Sequence, residues 1–478
     1  MGGVAKREFL RWLGAGAALG PALGAAADCY AAATPGGPDA PPAGHGPLFF
    51  GRDDAAYAAL NQGYNKRLHF LPRYIAACAD AADVQRALAL ARRQGLAVAV
   101  RSGGHSFEGF SSNDDGLVVN VARLKRVRWL DAETVEIGAG CTLQEVQAAL
   151  FPRGRLLPAG SCGSVGIAGL TLGGGYGFFS RAHGLTCDSL LGLSLVAPDG
   201  RLVDTDEDAE LLWACKGGGN GNFGVVTALR FRTQPMPARF AACVLKFRGL
   251  DAARYGRVLQ AWFEVADALP VDAFAACVLN GRTVTVLLAG HGVDLQHAAR
   301  PLAPLAASVA PTLGTPLPQA MRRYYGRPGP IDFKNASAGL YRGAQDLAPL
   351  QEALFEQVVA HPGLVFQVNT LGGRIADPAF EQASCYPHRH LPYLGELQAY
   401  WDGTTQPQAG PRLMAAFESI QALFRAHGVT AHYRNYPDLN FRDWEHAYYG
   451  ANYARLQAVK RRYDAGGLLR YPQGVRPA

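Results

Sequence analysis

An α+β fold in successive parts is what this sequence predicts, and three observations carry it. A helical repeat, a glycine and a short apolar strand follow one another across 82–100, the order of a β/α unit. Beyond Pro235-Met236-Pro237 the apolar runs come as closely spaced strands with helices between them, the hairpin-like spacing of an antiparallel sheet. The 478 residues, 49% apolar and 18% charged, supply core for two to three domains.

The elements follow in chain order. A basic start at Lys6-Arg7-Glu8-Phe9-Leu10 precedes an apolar stretch from Trp12 to Gly24, and Ala25-Ala26-Ala27 supplies the small residues of a cleavage site. Residues 1–27 are therefore expected to be an export signal. It looks like a twin-arginine signal with Lys in the first Arg place. The stretch is too short and too rich in Gly and Ala to span a bilayer. The expected location is periplasmic or extracellular, with no stable membrane anchor in the mature protein. Residues 28–47, dense in Pro and Gly, read as a linker.

Residues 82–94 place Val84, Leu88 and Leu90-Ala91 on one side of a helix, and Gly95 is its C-cap. Leu96–Val100 is expected to be a buried strand. A loop from Arg101 to Phe110 and a strand over Leu117–Val121 follow, then an alternating strand at Thr134–Ile137. Thr142 caps a helix running to Leu150, with Glu145 in the capping-box position. Gly160–Gly177 is the most biased stretch, with eight glycines in 18 residues. Strands at Leu191–Val196 and Val225–Phe231 complete a first part. The second is expected to hold strands at Ala242–Phe247, Phe274–Asn280 and Val284–Ala289, and helices near 252–268 and 349–360. The divisions expected are 48–236, 237–430 and an aromatic-rich tail at 431–478.

Composition excludes several functions. The net charge of +7 comes without a long Lys/Arg run, which speaks against nucleic acid and polybasic membrane binding. The nine cysteines include no C-x-x-C pair, so metal-site spacing is absent. Export permits disulfides, but spacing alone assigns none.

Two loops carry the chemistry. In Arg101-Ser102-Gly103-Gly104-His105-Ser106, two glycines after a strand let successive N–H groups turn inward as a nest for phosphate oxygens. No helix starts at once and no Lys follows, so it is not a Walker or dinucleotide fingerprint. A surface turn with a solvent-facing His fits the same residues. In the second loop, glycines at 160, 163, 166 and 169 recur every third residue, so backbone can approach a large flat or charged ligand. A set of tight turns is the plain alternative. Cys162, taken alone, reads as a small buried hydrophobe.

Together these segments resemble the FAD-linked oxidases with a para-cresol methylhydroxylase type FAD domain, and within them the berberine bridge enzyme group. Residues 100–116 are similar to the first flavin loop, and 160–188, ending Ser180-Arg-Ala-His-Gly184-Leu-Thr-Cys-Asp188, to the second. Trp213-Ala-Cys-Lys-Gly-Gly-Gly-Asn-Gly-Asn-Phe-Gly224-Val-Val-Thr227 is similar to the third. Leu371-Gly372-Gly373-Arg374-Ile375 and Pro387-His388-Arg389 match landmarks of the substrate domain. Tyr433-Arg-Asn435-Tyr436-Pro-Asp438, Trp444, Tyr448-Tyr449-Gly450, Asn452, Arg455-Leu456, Lys460 and Tyr463-Asp464 match the C-terminal element. Asp464-Ala-Gly-Gly467 departs from the group's usual Asp-Pro-x-Asn, at a turn.

The resemblance implies a two-subdomain FAD-binding domain, an α+β substrate domain with an antiparallel sheet, and a C-terminal berberine-bridge element returning to the FAD domain. It implies FAD held twice, by His105 at the flavin 8α-methyl and by Cys162 at flavin carbon 6. Arg101, Ser102, Gly103, Gly104 and Ser106 match the pyrophosphate nest. Gly160, Ser161, Val165, Gly166, Gly169, Gly174, Gly177 and Asn435 match further cofactor contacts, and Val226 a backbone position near the adenine. The implied activity is hydride removal from an alcohol or amine carbon of a small organic or sugar-like substrate, the flavin supplying the redox chemistry. The implied partners are that substrate and O2, reduced to H2O2. A dehydrogenase with another electron acceptor is the alternative.

Tyr436 is the implied base, with Tyr433 next. A tyrosine base needs its ordinary pKa of ~10 lowered by neighbours. Asn369 stands where some sugar-oxidising relatives have a carboxylate. It shares a strand face with Gln367 and cannot take a proton, so it is expected to orient substrate. Tyr176, Gln367 and His388 are further pocket candidates. Val165 stands where, in this group, valine resembles the oxidases and leucine the dehydrogenases.

Overall fold

The computed structural model describes residues 48–326 and 329–478. The expected export signal and linker lie outside the described residues.

The first long helix is Ala81–Gln94, whose N-terminus is capped by the Asp80 carboxylate accepting from the Asp83 N–H. Gly95 ends it at φ 65°, and the Leu96 N–H turns back to the Ala91 carbonyl at 2.9 Å. This C-cap closure takes up Leu96, so the next strand is Val98–Arg101 rather than 96–100. It pairs parallel to Leu117–Asn120, which pairs parallel to Tyr74–Ala77, with Phe49–Phe50 antiparallel at the edge. A second, antiparallel sheet has the order Val127–Trp129, Thr134–Gly138, Val225–Arg232, Leu190–Val196, Leu202–Asp204. The helix Leu143–Leu150 carries the full Thr142/Glu145 capping box. Both sheets share one core.

The second lobe is one seven-stranded antiparallel sheet. Its order is Ser308–Pro316, Arg239–Phe247, Thr283–Gly290, Ala273–Asn280, Leu364–Thr370, Tyr393–Trp401, Asp332–Tyr341. The helices Ala252–Ala268, Gln351–Ala360 and Ala409–Ala426 bury one face of it through Trp262, Phe263, Leu354, Phe417 and Phe424. Alternation along each strand fixes the other face. Phe366 and Val368 join the helix-side core, and so do Leu397 and Ala399. Gln367, Asn369, Glu396 and Gln398 therefore turn the opposite way, toward the first lobe.

Phe178 and Phe179 of the glycine-rich segment pack with Phe240, Phe274 and Tyr324 of the second lobe. The tail crosses back. Its Phe441, Trp444, Tyr448, Leu456 and Leu469 join the first lobe's core, and the Val98 N–H donates to the Leu468 carbonyl at 2.9 Å. Among the described residues no helix is long and apolar enough to cross a membrane, no cluster suits a metal ion, and the cysteines are unpaired.

Candidate active site

A cavity of about 1560 Å³ lies between the two glycine-rich loops, the polar face of the seven-stranded sheet and the start of the tail. Ordinary small-molecule pockets run to roughly 300–1,000 Å³, so this one has room for a dinucleotide and a second molecule.

The two loops touch through glycine backbone. A Cβ on Gly103 would run into the Gly166 nitrogen, and one on Gly166 into Ser102 Oγ and the Gly103 nitrogen. Ser102 Oγ instead donates to the Ala139 carbonyl at 2.7 Å. Gly104 takes φ 68°, and Ser106 Oγ accepts from the Phe110 N–H at 2.9 Å. Ser102, Gly103, Gly104, His105 and Ser106 all line the cavity, as do Gly160, Ser161, Cys162, Val165, Gly166, Gly169, Gly177 and Val226.

His105 stacks on Tyr64, ring centroids 3.9 Å apart, and its Nε2 lies 3.0 Å from Ser164 Oγ. Cys162 Sγ lies 3.8 Å from the same hydroxyl. The two residues, 57 positions apart in sequence, thus converge on one point. Desolvation lowers His105 to about 4, so the imidazole is neutral near pH 7 and keeps a free lone pair.

The polar wall is a continuous set of hydrogen bonds. Tyr436 and Tyr176 join their hydroxyls at 2.8 Å. Asn369 Nδ2 donates to Tyr176 Oη at 3.2 Å, Gln367 Nε2 to Asn369 Oδ1 at 2.7 Å, and Gln398 Nε2 to Gln367 Oε1 at 3.4 Å. Tyr436 also stacks on Phe107 at 5.1 Å. Tyr433 Oη accepts from the Gly175 N–H at 2.9 Å and from Asn435 Nδ2 at 3.1 Å. Asn435 Nδ2 reaches the Leu170 carbonyl too, an approach open because Gly173 has no Cβ.

Four expectations need correction. His388 is not at the cavity: its Nε2 meets the Ala447 carbonyl at 2.8 Å and the ring is buried beneath the tail. The Arg101 side chain turns away from the nest and braces it from behind, donating to the Leu60 and Ser111 carbonyls. Gly174 faces Tyr433 and Tyr386 instead of the cavity. The neighbours of Tyr436 do not lower its pKa: burial first, then the Glu396 charge, push it well above the ordinary value, and Tyr176 behaves likewise.

Glu396 is the residue sequence reasoning missed. It lies in the cavity wall and is pushed up to about 7 by desolvation, against hydrogen bonds from Gln398 and Asn335. The signal was available in Tyr393-Leu-Gly-Glu396-Leu-Gln398-Ala-Tyr400, where polar residues alternate with Leu397 and Ala399 and so share one strand face. Tyr64 and Asn335 were missed with it.

Comparison with known proteins agrees with this arrangement. Residues 72–206 match the FAD binding domain family, and residues 432–476 match the berberine and berberine-like family. The uncharacterized FAD-linked oxidoreductase YgaK of Bacillus subtilis is 29% identical over 442 residues, covering 89% of this chain and 96% of the relative. A chitooligosaccharide oxidase of Gibberella zeae is 29% identical over 442 residues, 87% of this chain and 89% of its own. Among solved structures, BBE-like 1 of Physcomitrella patens superposes with a TM-score of 0.82 at 23% identity, over 90% of this chain and 97% of that one. A chitooligosaccharide oxidase structure gives 0.81 at 26%, with the same coverage.

Proposed function

We propose that this chain, a berberine bridge enzyme-like FAD-dependent oxidoreductase, is an oxidase that carries FAD on two covalent tethers and oxidises a small, sugar-like or amine-bearing molecule. The residues present fit the cofactor. Nested backbone at 102–106 suits a pyrophosphate, and the crowded glycine pairs let main chain approach a flat ring. Bound FAD would accept a hydride from the substrate carbon and pass the electrons to O2, releasing H2O2.

The observation that carries the reading is the convergence of His105 and Cys162 on the Ser164 hydroxyl. The flavin 8α-methyl and carbon 6 belong to the same benzenoid ring, so two tethers must come to one end of it. His105 would supply its neutral nitrogen and Cys162 its sulfur. The Tyr176–Tyr436 hydroxyl pair would hold the substrate's reacting hydroxyl or amine, and Tyr436 would take its proton. Asn369 and Gln367 fix that pair in place from the sheet. Val165, in the loop beside Cys162, would leave a small space for oxygen.

Acid precipitation tests the tethers. We expect the yellow chromophore to stay with the precipitate in the native enzyme and in His105→Ala and Cys162→Ala singly, and to be released from the double variant. Full release from the well-folded native enzyme would refute the proposal.

The relatives include a carbohydrate oxidase of Microdochium nivale and an (R)-6-hydroxynicotine oxidase of Paenarthrobacter nicotinovorans, 28% and 27% identical. Export by the twin-arginine route belongs to the same proposal, because internally tethered FAD must load before the folded protein crosses a membrane.

A further inference from the structure

We propose that Asn335, Glu396 and Gln398 form a docking point for a protonated amine of the substrate, a handle separate from the carbon that is oxidised. The inference rests on the reading of this cavity as the substrate site, and it names the class of molecule that enters.

Two neighbouring strands bring the group together, with Gln367 on a third beside it. Asn335 lies opposite Gln398 across one strand pair, and Glu396 opposite Gln367 across the next. All three side chains line the cavity, at 4%, 6% and 4% exposure for Asn335, Glu396 and Gln398. Asn335 Nδ2 donates to Glu396 Oε1 at 3.3 Å and to Tyr400 Oη at 2.9 Å. The Gln398 amide donates to Gln367 Oε1 at 3.4 Å and helps hold the Glu396 carboxyl down against burial.

The donors stop there. Asn335 Oδ1 and Gln398 Oε1 are buried with no hydrogen-bond partner. Among the described residues, no Lys, Arg or His forms an ion pair with Glu396. The cluster is rich in acceptors, carries one ionisable carboxyl, and its amide donors are already committed. An unsatisfied buried acceptor destabilises the site, and a buried carboxylate without a cation does so more. A ligand that supplies both the donors and the charge removes those costs together.

An ammonium group does so: it brings three N–H donors and one positive charge to two orphaned amide oxygens and one carboxylate. A neutral hydroxyl brings one donor and no charge, and leaves the carboxylate uncompensated. Tyr176, Tyr400 and Tyr436 stand around the same wall, and aromatic faces also attract a cation. The handle has a further effect on the proposed base. Glu396 is one of the causes that raise Tyr436 and Tyr176, so compensating its charge removes that obstacle when substrate is bound.

Calorimetry on the oxidised holoenzyme near neutral pH tests this with two matched pairs, benzylamine against benzyl alcohol and D-glucosamine against D-glucose. We expect the amine of each pair to bind at least about 10-fold tighter, the scale of one charge-assisted bond. Glu396→Gln, nearly isosteric, should bring each ratio to within about twofold with no loss of melting temperature. Gln398→Leu retains the carboxylate and should weaken the amines several-fold while barely moving the neutral partners. Equal binding of amine and neutral partner to the native enzyme would overturn the proposal, and so would an amine preference that survives Glu396→Gln. Failure of the oxidase reading would show separately, as absent covalent flavin or slow reaction with oxygen, and would leave these ratios untouched.

Discussion

Tyr436 is where the resemblance and the physics pull apart. The resemblance makes it a base, yet burial and Glu396 make its hydroxyl harder to ionise. Tyr436 can take the substrate's proton only as a tyrosinate, and the Tyr176 hydroxyl, 2.8 Å away, is placed to stabilise that charge by donating to it. Tyr436→Phe removes one hydroxyl, leaves Tyr176 held by Asn369, and should keep the fold. We expect anaerobic flavin reduction to slow by roughly 10²–10⁴, the usual worth of a positioned acid–base group. An unchanged rate moves the role to Glu396, the one cavity group whose pKa is pushed to about 7. Val165 makes a second residue-scale case. Its N–H and carbonyl are engaged with the Cys162 carbonyl and the Leu143 N–H, so backbone position is fixed and only side-chain volume is free to vary. Interiors pack tightly enough to feel one methylene. Stopped-flow mixing of reduced enzyme with oxygen should show Val165→Leu reoxidising much more slowly, with substrate reduction nearly intact. Equal reoxidation rates would remove Val165 from that role.

At the scale of elements, legibility tracked how local the determining signal was. The helix expected near 252–268 is Ala252–Ala268, whose apolar period and Asp251 cap are both local signals. The Thr142/Glu145 box was readable for the same reason. Ser308–Pro316 was not, since it is mostly exposed and contains two prolines, as an edge strand can. Asp332–Tyr341 hides its identity differently: it is buried almost throughout, so alternation disappears, and it holds Lys334, Asn335 and Ser337 in the interior. Those polar residues make sense only through partners far away in sequence. Lys334 Nζ binds Glu108 of the first loop and Asp438 Oδ1 of the tail, the latter at 2.9 Å, and all three side chains are nearly inaccessible. One lysine therefore joins the sheet, the first glycine loop and the tail. Lys334→Met leaves the buried Asp438 carboxylate without its cation and Glu108 with Arg67 alone. We expect a loss of about 3–5 kcal/mol, the cost of breaking a buried ion pair from one side. Denaturant melts should show it, and limited proteolysis should then cut first within 431–478. Replacing all three together, as Glu108→Gln, Lys334→Met and Asp438→Asn, should recover part of the loss. A single variant as stable as the native protein would show that the cluster does not tie these elements together.

For the whole molecule, the cavity's position between lobes means that closure depends on the tail, and two histidines sit where the tail docks. His388 meets the Ala447 carbonyl, and His432 Nδ1 lies 3.3 Å from Ser337 Oγ while its ring packs on Phe441. Burial lowers them to about 4 and about 3. The unfolded chain takes up these protons near the ordinary value of about 6.5, so between that pH and the folded values the unfolded state binds more protons. Stability therefore falls as pH drops through this window. Glu396 acts in the opposite sense: raised to about 7, it lets the folded state bind the extra proton between its ordinary value and 7. One such group offsets one histidine. His183, lowered by burial, adds to the histidine side. At pH 4.5 His388 and His432 are each worth roughly 2–3 kcal/mol, so the net effect is a loss. We expect the melting temperature to drop by several degrees between pH 6.5 and pH 4.5. His388→Gln can still donate to the Ala447 carbonyl but cannot take a charge, and should flatten that slope while changing stability little at pH 7. Melting curves across the window decide it: a temperature that holds or rises toward pH 4.5 would mean the tail does not keep these rings neutral.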